Sequence, residues 1–447
     1  MLINVMDYTA VYPRIVPSHS EQKIVITPKY EFVKFKGKYI VNVIPRYQFT
    51  YDSERKGSFI QPFEVYAKDN QLELNIFFGS EQEYIINVAP EKEEGKTTLK
   101  IYTSVYALDE DLFSKKVIKG DLHMHTTFSD GLESPEHRAV IARKNGFDFI
   151  AITDHNAYAG STHIIEKMKK CPNNMAFIHG EEVHATCCPV HILSLGSTKA
   201  IAPQVTCIDD SQKTALSELK EKYRDMLAPD VNCDAFVAAM DVFNKIREAG
   251  GVSVLCHIYW SAVDGRNHML MGAPEQLIDA LVQHCNFDAF EITSGAPEND
   301  LKANYLQETY YRENLPEDFP VIGITDTHTT MDKLSIFGKN YTVAFVDEFS
   351  ESGILKAIRG SKTVAVDGVG TNVVCHGSLR LIKYTSFLIE NYFTFHDKIV
   401  QTEGDLMQRI LEGNHQFLPS LDSLCKNSVD IIRAEWGNIY CIKSVNE

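Results

Sequence analysis

The sequence predicts an α/β protein in which a β/α barrel follows an N-terminal antiparallel β domain and precedes a helical appendage. Three patterns lead to this prediction: period-two alternation early in the chain, apolar strands alternating with helices in the middle, and helical spacing at the end. The chain has 447 residues, which is enough for two or three domains. We expect these domains at residues 1–116, 117–370 and 371–447.

The first region alternates polar and apolar residues, with aromatic and β-branched side chains among them. Segments 71–76 and 98–102 show this alternation, and the charged, glycine-containing stretch 91–96 between them is typical of a turn. A period of two indicates strands with one buried face, so we expect an antiparallel sheet arranged as a small sandwich. Two roles are open for it: a packing domain, or a module that binds substrate or forms oligomers.

The middle region alternates short, nearly continuous apolar segments with helical segments. Apolar strands separated by helices indicate a parallel sheet covered on both faces, and several such units in succession favour a β/α barrel. One helix is expected from Pro135 to Asn145-Gly146, and another over 235–249, where Gly250-Gly251 ends it. The predicted strands are 149–153, 175–178, 252–255, 289–292 and 321–324.

The last region has the apolar spacing of helices. This spacing occurs over 379–391 and 404–411, and a short apolar run surrounds Ile439. We expect an appendage that covers a surface or pairs with another subunit, and the sequence leaves the oligomeric state open.

Composition argues against several partners and compartments. The formal net charge of -16 disfavours nucleic acid and anionic membranes, because both attract basic proteins. The N-terminus lacks a basic start followed by an apolar run, and no segment is long and apolar enough to span a membrane. The ten cysteines contain no Cys-x-x-Cys pattern, which indicates reduced thiols. We therefore expect a cytoplasmic protein without nucleic-acid or membrane partners.

The most informative part of the middle region is a dense group of histidines and carboxylates. It contains His123-Met124-His125, then Ser129-Asp130-Gly131, then Thr153-Asp154-His155. Side chains two residues apart in an extended strand share one face, so the first two histidines point the same way. Two imidazoles on one face suit a divalent metal, because each offers a neutral nitrogen ligand.

Further candidate ligands recur near the ends of the predicted strands. Twelve of the sixteen histidines lie between Asp121 and His328, which argues against scattered core histidines. Because the working residues of a β/α barrel lie at the C-terminal ends of its strands, we expect one shared metal site. The candidates at these ends are Asp154, His155, Glu181, Glu182, His191, His257, Glu291, Asp326 and His328. We expect structural roles for His137, His163, His179, His184 and His284.

These motifs resemble the polymerase-and-histidinol-phosphatase (PHP) family of metal-dependent hydrolases over roughly residues 117–367. The Gly-Glu-Glu-Val form and the preceding β domain look like the carbaryl-hydrolase-like branch. The motifs that carry the resemblance are, in order, His123-Met124-His125, Ser129-Asp130-Gly131, Thr153-Asp154-His155, Gly180-Glu181-Glu182-Val183, His191, Cys256-His257 and Thr325-Asp326-Thr327-His328.

The resemblance implies a distorted seven-stranded β/α barrel that holds up to three divalent metal ions. The family's glutamate lies two residues past a glycine, which selects Glu182 over Glu181, and Asp154 would orient the ligand that follows it. The implied ligands are His123, His125, Glu182 and Asp326 for one ion, Asp130, His155 and His328 for a second, and Glu182, His191 and His257 for a third.

The sequence departs from the family pattern at three places. Ile258 stands where a proline is usual, and Thr325 stands where serine is more common. The segment 199–232 is long and matches no family element, so we expect it to shape the substrate pocket. None of these departures removes an implied ligand.

Mixed imidazole and carboxylate ligands suit Zn²⁺, Mn²⁺ or Fe²⁺. Together with the resemblance, they imply a phosphoesterase acting on a small organic phosphate, such as a nucleotide, a sugar phosphate or an amino-alcohol phosphate. The nucleophile would be a hydroxide held between the metals. Two alternatives stay open: a metal-dependent carboxyl or carbamate ester hydrolase, and a non-catalytic metal-binding scaffold.

The polar loop after His257 offers candidates for substrate binding and catalysis. Arg266 could clamp phosphate oxygens, or it could be an ordinary surface arginine. His268 could protonate the leaving group. Tyr259 and Trp260 could stack on an aromatic part of the substrate, or they could pack the loop down.

Overall fold

A computed structural model describes residues 8–47, 60–91, 100–207, 209–263, 269–284, 286–293, 302–331, 336–368 and 373–439. The chain divides into two units. The first unit consists of Met1–Lys116, Ser386–Tyr392 and Asn427–Ile442. The second consists of Val117–Thr385, Phe393–Lys426 and Lys443–Glu447. Region 371–447, suggested by the sequence as one appendage, thus contributes residues to both units.

Eight strands and a short helix open the chain. They are β1 (Thr9–Tyr12), β2 (Ile15–Pro17), β3 (Ser20–Pro28), β4 (Lys38–Pro45), β5 (Ile60–Tyr66), β6 (Leu72–Phe78), β7 (Gln82–Pro90), β8 (Ile101–Leu108) and α1 (Glu110–Phe113). They form a five-stranded sheet, β2-β8-β7-β4-β5, and a three-stranded sheet, β1-β3-β6. The described pairings are antiparallel apart from β2–β8, which is parallel.

The two sheets of the first unit share one apolar core. Strand β6 buries every second side chain, as its polar–apolar alternation predicts. Ile24 and Leu74 of the smaller sheet belong to the same buried cluster as Val41 and Ile86 of the larger sheet. The arrangement is therefore a small β-sandwich. Residues 92–96 of the predicted turn and residues 98 and 99 of the predicted strand lie outside the described residues.

The strands of the second unit are short and mostly buried. They are β9 (Lys116–Asp121), β10 (Phe149–Ala151), β11 (Ala176–Ile178), β12 (Gly180–Val183), β13 (Ile192–Leu195), β14 (Val252–Leu255), β15 (Ser261–Val263), β16 (Met269–Met271), β17 (Ala289–Thr293), β18 (Val321–Gly323), β19 (Tyr341–Val346), β20 (Thr363–Asp367) and β21 (Val374–His376).

Helices separate most of these strands and follow the last one. They are α2 (Pro135–Lys144), α3 (Ala159–Met168), α4 (Ala202–Thr206), α5 (Asp210–Tyr223), α6 (Cys233–Glu248), α7 (Glu275–His284), α8 (Lys302–Asn314), α9 (Glu351–Arg359), α10 (Leu379–Leu388), α11 (Thr394–Leu411) and α12 (Leu418–Trp436). A π-helical stretch covers Ile389–Phe393, and 3-10 turns cover His415–Phe417 and Gly437–Ile439. No described helix is long and apolar enough to cross a membrane.

The second unit contains two main sheets, with strand orders β11-β10-β9-β19-β20-β21 and β12-β13-β14-β17-β18. The Thr342 hydroxyl donates to Gly323 O (2.8 Å), which links β19 of one sheet to β18 of the other. Residues of both sheets, such as Phe149 and Val254, share one buried cluster. The α/β class is confirmed. The described strands form a curled pair of sheets, and a closed seven-stranded barrel stays a prediction.

The predicted all-parallel sheet is only partly observed. β9–β10, β10–β11, β14–β17 and β17–β18 are parallel. β13, however, runs antiparallel to both β12 and β14, and β20 is antiparallel to β19 and β21. A buried strand is apolar throughout whichever way it runs, so its composition carries no direction.

Both helices predicted from caps are present within one or two residues. The Ser134 side chain accepts a hydrogen bond from the His137 N–H at the start of α2, and Asn145 ends that helix. Asn232 caps the start of α6 in the same way. The segment 199–232 forms α4 and α5, and Leu216 and Leu219 of α5 pack against the core cluster that contains α6.

Helix α11 is attached to α2 through buried ion pairs. Arg143 of α2 lies 2.9 Å from Asp148 and 2.6 Å from Glu403 of α11. The His396 imidazole of α11 lies 3.1 Å from Asp148. Lys119 of β9 donates to Asp397, also of α11 (2.8 Å). This part of the predicted C-terminal appendage therefore covers the second unit's own surface.

Candidate metal centre

The candidate ligands meet at one end of the two sheets. His123 and His125 follow β9, and isolated bridges join Met124 to Thr327 and His155 to Glu182. His191 precedes β13, yet it reaches the same end because β13 is antiparallel: Ile192 pairs with Val183, the last residue of β12. The other members, Asp130, His257, Asp326 and His328, lie in loops after β9, β14 and β18.

Glu182 is the hub of the cluster, and its side chain is fully buried. Its Oε1 atom lies 2.8 Å from His191 Nδ1, 3.1 Å from His257 Nε2 and 3.5 Å from His184 Nε2. Its Oε2 atom lies 2.7 Å from His155 Nδ1, 3.3 Å from His123 Nε2 and 3.4 Å from His125 Nε2. Six imidazoles thus surround one carboxylate.

Asp326 supplies a second carboxylate to the same histidines. Its Oδ1 lies 2.9 Å from His125 Nε2 and 3.3 Å from His123 Nε2, and its Oδ2 lies 4.0 Å from His257 Nε2. Asp326 has a left-handed backbone (φ 49°), which an aspartate tolerates better than most residues. Its N–H donates to His123 O (2.9 Å), so this conformation joins the two ligand loops.

Asp130, His155 and His328 form the open side of the cluster. Asp130 lies 3.6 Å from His155 Nε2 and 3.4 Å from His328 Nε2. The Asp130 side chain is 58% exposed and that of His328 is 37% exposed, whereas those of His123, His125 and Glu182 are 0% exposed. A substrate would therefore approach from this side.

The atoms of the cluster fit divalent metals. Within the described part of the chain, His123 Nε2, His191 Nδ1 and Glu182 Oε2 are buried without an aligned hydrogen bond, despite their short contacts. Nitrogen and oxygen atoms about 3 Å apart, with lone pairs directed at a common space, are what ligands of one ion at 2.0–2.2 Å present. Burying such atoms unsatisfied would otherwise be costly.

The carboxylates of the cluster stay ionised. Burial alone would raise the pKa of Glu182, but the imidazoles around it, His191 and His123 foremost, hold it well below its usual range. Burial likewise opposes ionisation of Asp326, yet His123 and the contact with His125 hold its pKa well below the usual value. Both groups are therefore anionic ligands at neutral pH.

The histidines divide into two sets. Burial lowers the pKa of His125 to about 3 and that of His191 to about 4, so both are neutral ligands near pH 7. Burial also acts to lower the pKa of His257, but the contact with Glu182 and the charge of Glu291 raise it to about 9. A metal ion would have to displace that proton, which couples metal binding to pH.

Several side chains support the candidate ligands, and one of them, Glu291, also forms with His123 and His257 a described group that could hold a metal. Glu291 Oε2 lies 2.9 Å from His123 Nδ1, which leaves Nε2 directed at Glu182 and Asp326. The Thr325 hydroxyl donates to Asp121 (2.5 Å), so threonine provides the hydroxyl that serine usually does. Burial raises the pKa of Asp121 to about 7.

Asp154 organises the loop before Asp130. Its carboxylate accepts hydrogen bonds from the Thr126 N–H (2.6 Å), the Thr126 hydroxyl (2.7 Å) and the Ser129 hydroxyl (2.7 Å). Gly131 is needed in this loop, because a Cβ there would lie 2.5 Å from the His125 carbonyl. Asp154 was expected to orient His155. Its carboxylate instead shapes the loop that carries Asp130.

Glu181 and Glu182 have different surroundings. The Glu181 carboxylate accepts from the Ile201 and Ala202 N–H groups at the start of α4, and burial raises its pKa. Adjacent residues of a strand point to opposite faces, so only Glu182 can reach the histidines.

His184 is the cluster member for which the sequence predicted a structural role. Its Nε2 lies 3.0 Å from His155 Nδ1, and its ring stacks on His191 with centroids 3.7 Å apart. The available signal was its position two residues after Glu182 in an extended segment, which places both side chains on one face.

The remaining histidines of the region lie elsewhere. His163 contacts Glu136 (2.8 Å), His179 contacts Glu351 (3.1 Å), and His284 packs against Tyr223 and Phe236. None of these three, nor His137, belongs to a described group that could hold a metal.

The loop after His257 is described only in part. Arg266 and His268 lie outside the described residues. The Tyr259 hydroxyl donates to Glu275 (2.8 Å), whereas the Trp260 ring lies 5.3 Å from the His191 ring, centroid to centroid. Of the two aromatic residues, Trp260 is therefore the one beside the cluster.

The first part of the ligand-bearing region matches a known family. Residues 121–228 match the PHP domain. The resemblance predicted from the motifs is thereby confirmed, and the finer branch stays a prediction. The matched span contains His123, His125, Asp130, His155, Glu182 and His191, while His257, Asp326 and His328 lie beyond it.

Known relatives are similar over limited spans. A stretch of 86 residues is 36% identical to the DNA polymerase/3'-5' exonuclease PolX of Bacillus subtilis, covering 18% of this chain and 14% of that protein. A stretch of 151 residues is 26% identical to an uncharacterized protein of Methanocaldococcus jannaschii, covering 30% of this chain and 87% of that protein. A solved structure of a two-domain protein of Bacteroides vulgatus, containing a predicted PHP-like metal-dependent phosphoesterase, is also similar. The two are 20% identical with a TM-score of 0.40, and the match covers 57% of this chain and 66% of that chain.

Proposed function

We propose that this chain is a metal-dependent phosphoesterase that hydrolyses a small organic phosphate, such as a nucleotide, a sugar phosphate or an amino-alcohol phosphate. The observation that carries the proposal is the convergence of six imidazoles on the buried carboxylate of Glu182. The PHP match over residues 121–228 supports it. We further propose that the two sheets of the second unit make the family's distorted seven-stranded barrel.

We propose three ion positions, two of which share Glu182 as a ligand. Two of the three sets correspond to described groups whose ligand atoms lie within 4.8 Å of one another, and the remaining set is part of a third such group. The sets are His123, His125, Glu182 and Asp326; Asp130, His155 and His328; and Glu182, His191 and His257.

Divalent Zn²⁺, Mn²⁺ or Fe²⁺, when bound, would supply Lewis-acid chemistry and lower the pKa of coordinated water to about 7. The chain's own residues prepare the site for this. Buried Glu182 and Asp326 provide fixed negative charge, and Glu291 holds the tautomer of His123 through Nδ1. The exposed Asp130 and His328 leave one side open to the phosphate group.

The test is metal analysis and hydrolysis in one sample. We expect about two to three transition-metal ions per chain, and hydrolysis of a generic aryl phosphate that a strong chelator abolishes and Mn²⁺ or Zn²⁺ restores. Failure of the metal-loaded protein to cleave any phosphoester in a broad panel would refute the proposal.

The same panel separates the alternatives. Cleavage of an aryl ester but not an aryl phosphate would indicate a carboxyl or carbamate ester hydrolase, and bound metal without turnover would indicate a scaffold. An oligonucleotide belongs in the panel because one relative is a DNA polymerase/3'-5' exonuclease. We propose that it is not a substrate, since a net charge of -16 disfavours nucleic acid.

A further inference from the structure

Three large apolar side chains are exposed on the two loops that carry Asp130 and His328. Phe128 is 40% exposed, Leu132 is 65% exposed and Met331 is 70% exposed. Phe128 and Leu132 each lie two residues from Asp130, and Met331 lies three residues after His328. We call these three side chains the apolar rim.

Hydrogen bonds hold the two loops of the rim together. The Leu132 N–H donates to His328 O (2.8 Å), so the Asp130 loop lies directly on the His328 loop. Glu133, next to Leu132, accepts from the N–H of Thr330, next to Met331 (2.7 Å). Leu132 and Met331 therefore lie on two loops that are bonded to each other next to both residues.

The loop that bears Phe128 and Leu132 is closed upon itself. The Thr127 N–H donates to Glu133 O (3.0 Å), and the Gly131 N–H donates to Thr126 O (3.0 Å). The buried Asp154 carboxylate accepts hydrogen bonds from the N–H and the hydroxyl of Thr126, at the start of this loop. Phe128 and Leu132 thus lie on a loop whose backbone is held by several hydrogen bonds.

Single exposed apolar residues are common on proteins and need no explanation. Three on two bonded loops that also carry candidate ligands concentrate apolar surface beside the cluster, and such concentrations are typical of binding sites. Asp130 and His328 are the exposed members of the cluster, and the rim side chains lie on the same two loops, so a molecule whose phosphate group reaches them meets these loops first.

We propose that the apolar rim is the subsite for the non-reacting part of the substrate, which is accordingly an aliphatic or aromatic group. This inference rests on the proposed function. It narrows the small organic phosphates to monoesters whose alcohol carries an apolar portion. Burial of that portion against Leu132 and Met331 contributes binding energy in proportion to the apolar area removed from water.

The experiment measures kcat/KM of the Mn²⁺-loaded full chain on n-alkyl phosphates, from methyl to hexyl phosphate. The leaving alcohols are chemically alike, so chain length changes burial with little change in reactivity. We expect kcat/KM to rise about 2- to 4-fold for each methylene that the rim buries. A series that is flat from methyl to hexyl phosphate would overturn the inference.

Variants locate the effect on the rim. The double variant Leu132→Ser with Met331→Ser should reduce the increase per methylene to less than half of the wild-type value. The matched control is Phe77→Ser, which removes an apolar side chain of similar exposure (58%) from the first unit and should leave the increase unchanged. An unchanged increase in the double variant would place the subsite elsewhere and overturn the inference.

The same series separates this inference from the proposed function. Hydrolysis of methyl phosphate without a chain-length effect would support the function and overturn the subsite. If no member is hydrolysed, calorimetry with n-alkylphosphonates on the metal-loaded protein tests the subsite alone. Affinity that increases with chain length in the wild type and not in the double variant would support it, and any other result would overturn it.

Discussion

The second unit buries imidazoles and carboxylates together in two regions, and the two regions neutralise charge differently. In the α2–α11 network, Arg143 lies against Asp148 and Glu403, and Lys119 lies against Asp397. In the metal cluster, the described ion pairs of Glu182 and Asp326 are with histidines alone. Among the described residues, only the first region pairs its carboxylates with permanent cations.

The difference shows which buried charges need a partner from outside the protein. Lys119 Nζ also lies 5.0–5.9 Å from the ring centroids of Phe147, Tyr341 and Phe393. The buried ammonium is therefore stabilised by side chains of the protein itself. The metal cluster must either protonate its imidazoles or bind divalent cations, because an uncompensated buried charge is costly. Both regions contain buried histidines and carboxylates. They differ in the cation that balances the carboxylates: arginine and lysine in the α2–α11 network, and histidine in the metal cluster.

The largest effect should come from the hub of the metal cluster. In Glu182→Gln we expect fewer than one metal ion per chain and at least about a 10³-fold loss of phosphoesterase activity, because every proposed ion loses an anionic ligand or its anionic neighbour. Elemental analysis and aryl phosphate hydrolysis measure this.

The matched control for this variant is its sequence neighbour. Glu181→Gln removes a carboxylate that caps α4, and its metal content should equal that of the wild type. Equal metal content in both variants would mean that Glu182 is not the hub.

The α2–α11 network should respond in stability and not in metal content. Arg143→Met leaves Asp148 and Glu403 without that buried cation, which we expect to cost about 3–5 kcal/mol in the free energy of unfolding. Urea denaturation with elemental analysis of the folded fraction checks both parts. Loss of metal without loss of stability would contradict the distinction between the two regions.

A smaller effect is expected at the open side of the metal cluster. Asp130→Asn changes an exposed carboxylate whose described ion pairs are with His155 and His328, so we expect about a 10- to 100-fold weaker affinity for one ion and retention of the others. Titration of the metal-free protein with Zn²⁺ would resolve this. Simultaneous loss of all ions would show that the positions are not separable.

The smallest expected effect is the pH dependence of the stability that the His396–Asp148 pair gives to the α2–α11 network. Burial acts to lower the pKa of His396, but Asp148 raises it, so this stabilisation is present below about pH 6.5 and is lost as pH rises through the raised folded pKa. Burial acts to raise the pKa of Asp148, but His396 and Arg143 lower it, so its contribution is present above about pH 3.9 and is lost as pH falls through the lowered folded pKa.

The pair should therefore stabilise the protein most between about pH 4 and 6.5. The variant His396→Gln should lose stability relative to the wild type in that window, and the difference in unfolding temperature should shrink toward pH 9. A difference that grows with pH would reverse the assigned sign.

Much of the fold could be predicted from local patterns. Alternation along β6 indicated the sandwich, and the caps at Ser134 and Asn145 placed α2, because both signals act within a few residues. Strand direction could not be predicted, since β13, which is antiparallel to both of its neighbours, is as fully buried as β17, which is parallel to both of its neighbours. The position of α11 could not be predicted either, because it involves the contact of Arg143 with Glu403, which lies 260 residues further along the chain.

The candidate site was likewise predictable in part. The nine proposed ligands occur in short motifs, which local spacing and the PHP resemblance bring to attention, and the structure places all nine in one cluster. The membership of His184 could be recognised only from the extended backbone around Glu182. The role of Asp154 could be recognised only from the loop that its carboxylate contacts.

The sequence by itself determined the types of candidate ligand, the period of each element and the net charge of -16, because residue identity alone sets these properties. Only the tertiary structure decided which carboxylates lacked a permanent cation and which apolar side chains remained exposed beside them. The physical reason is that pairing and burial depend on contacts between distant segments, and local propensity contains no information about those contacts.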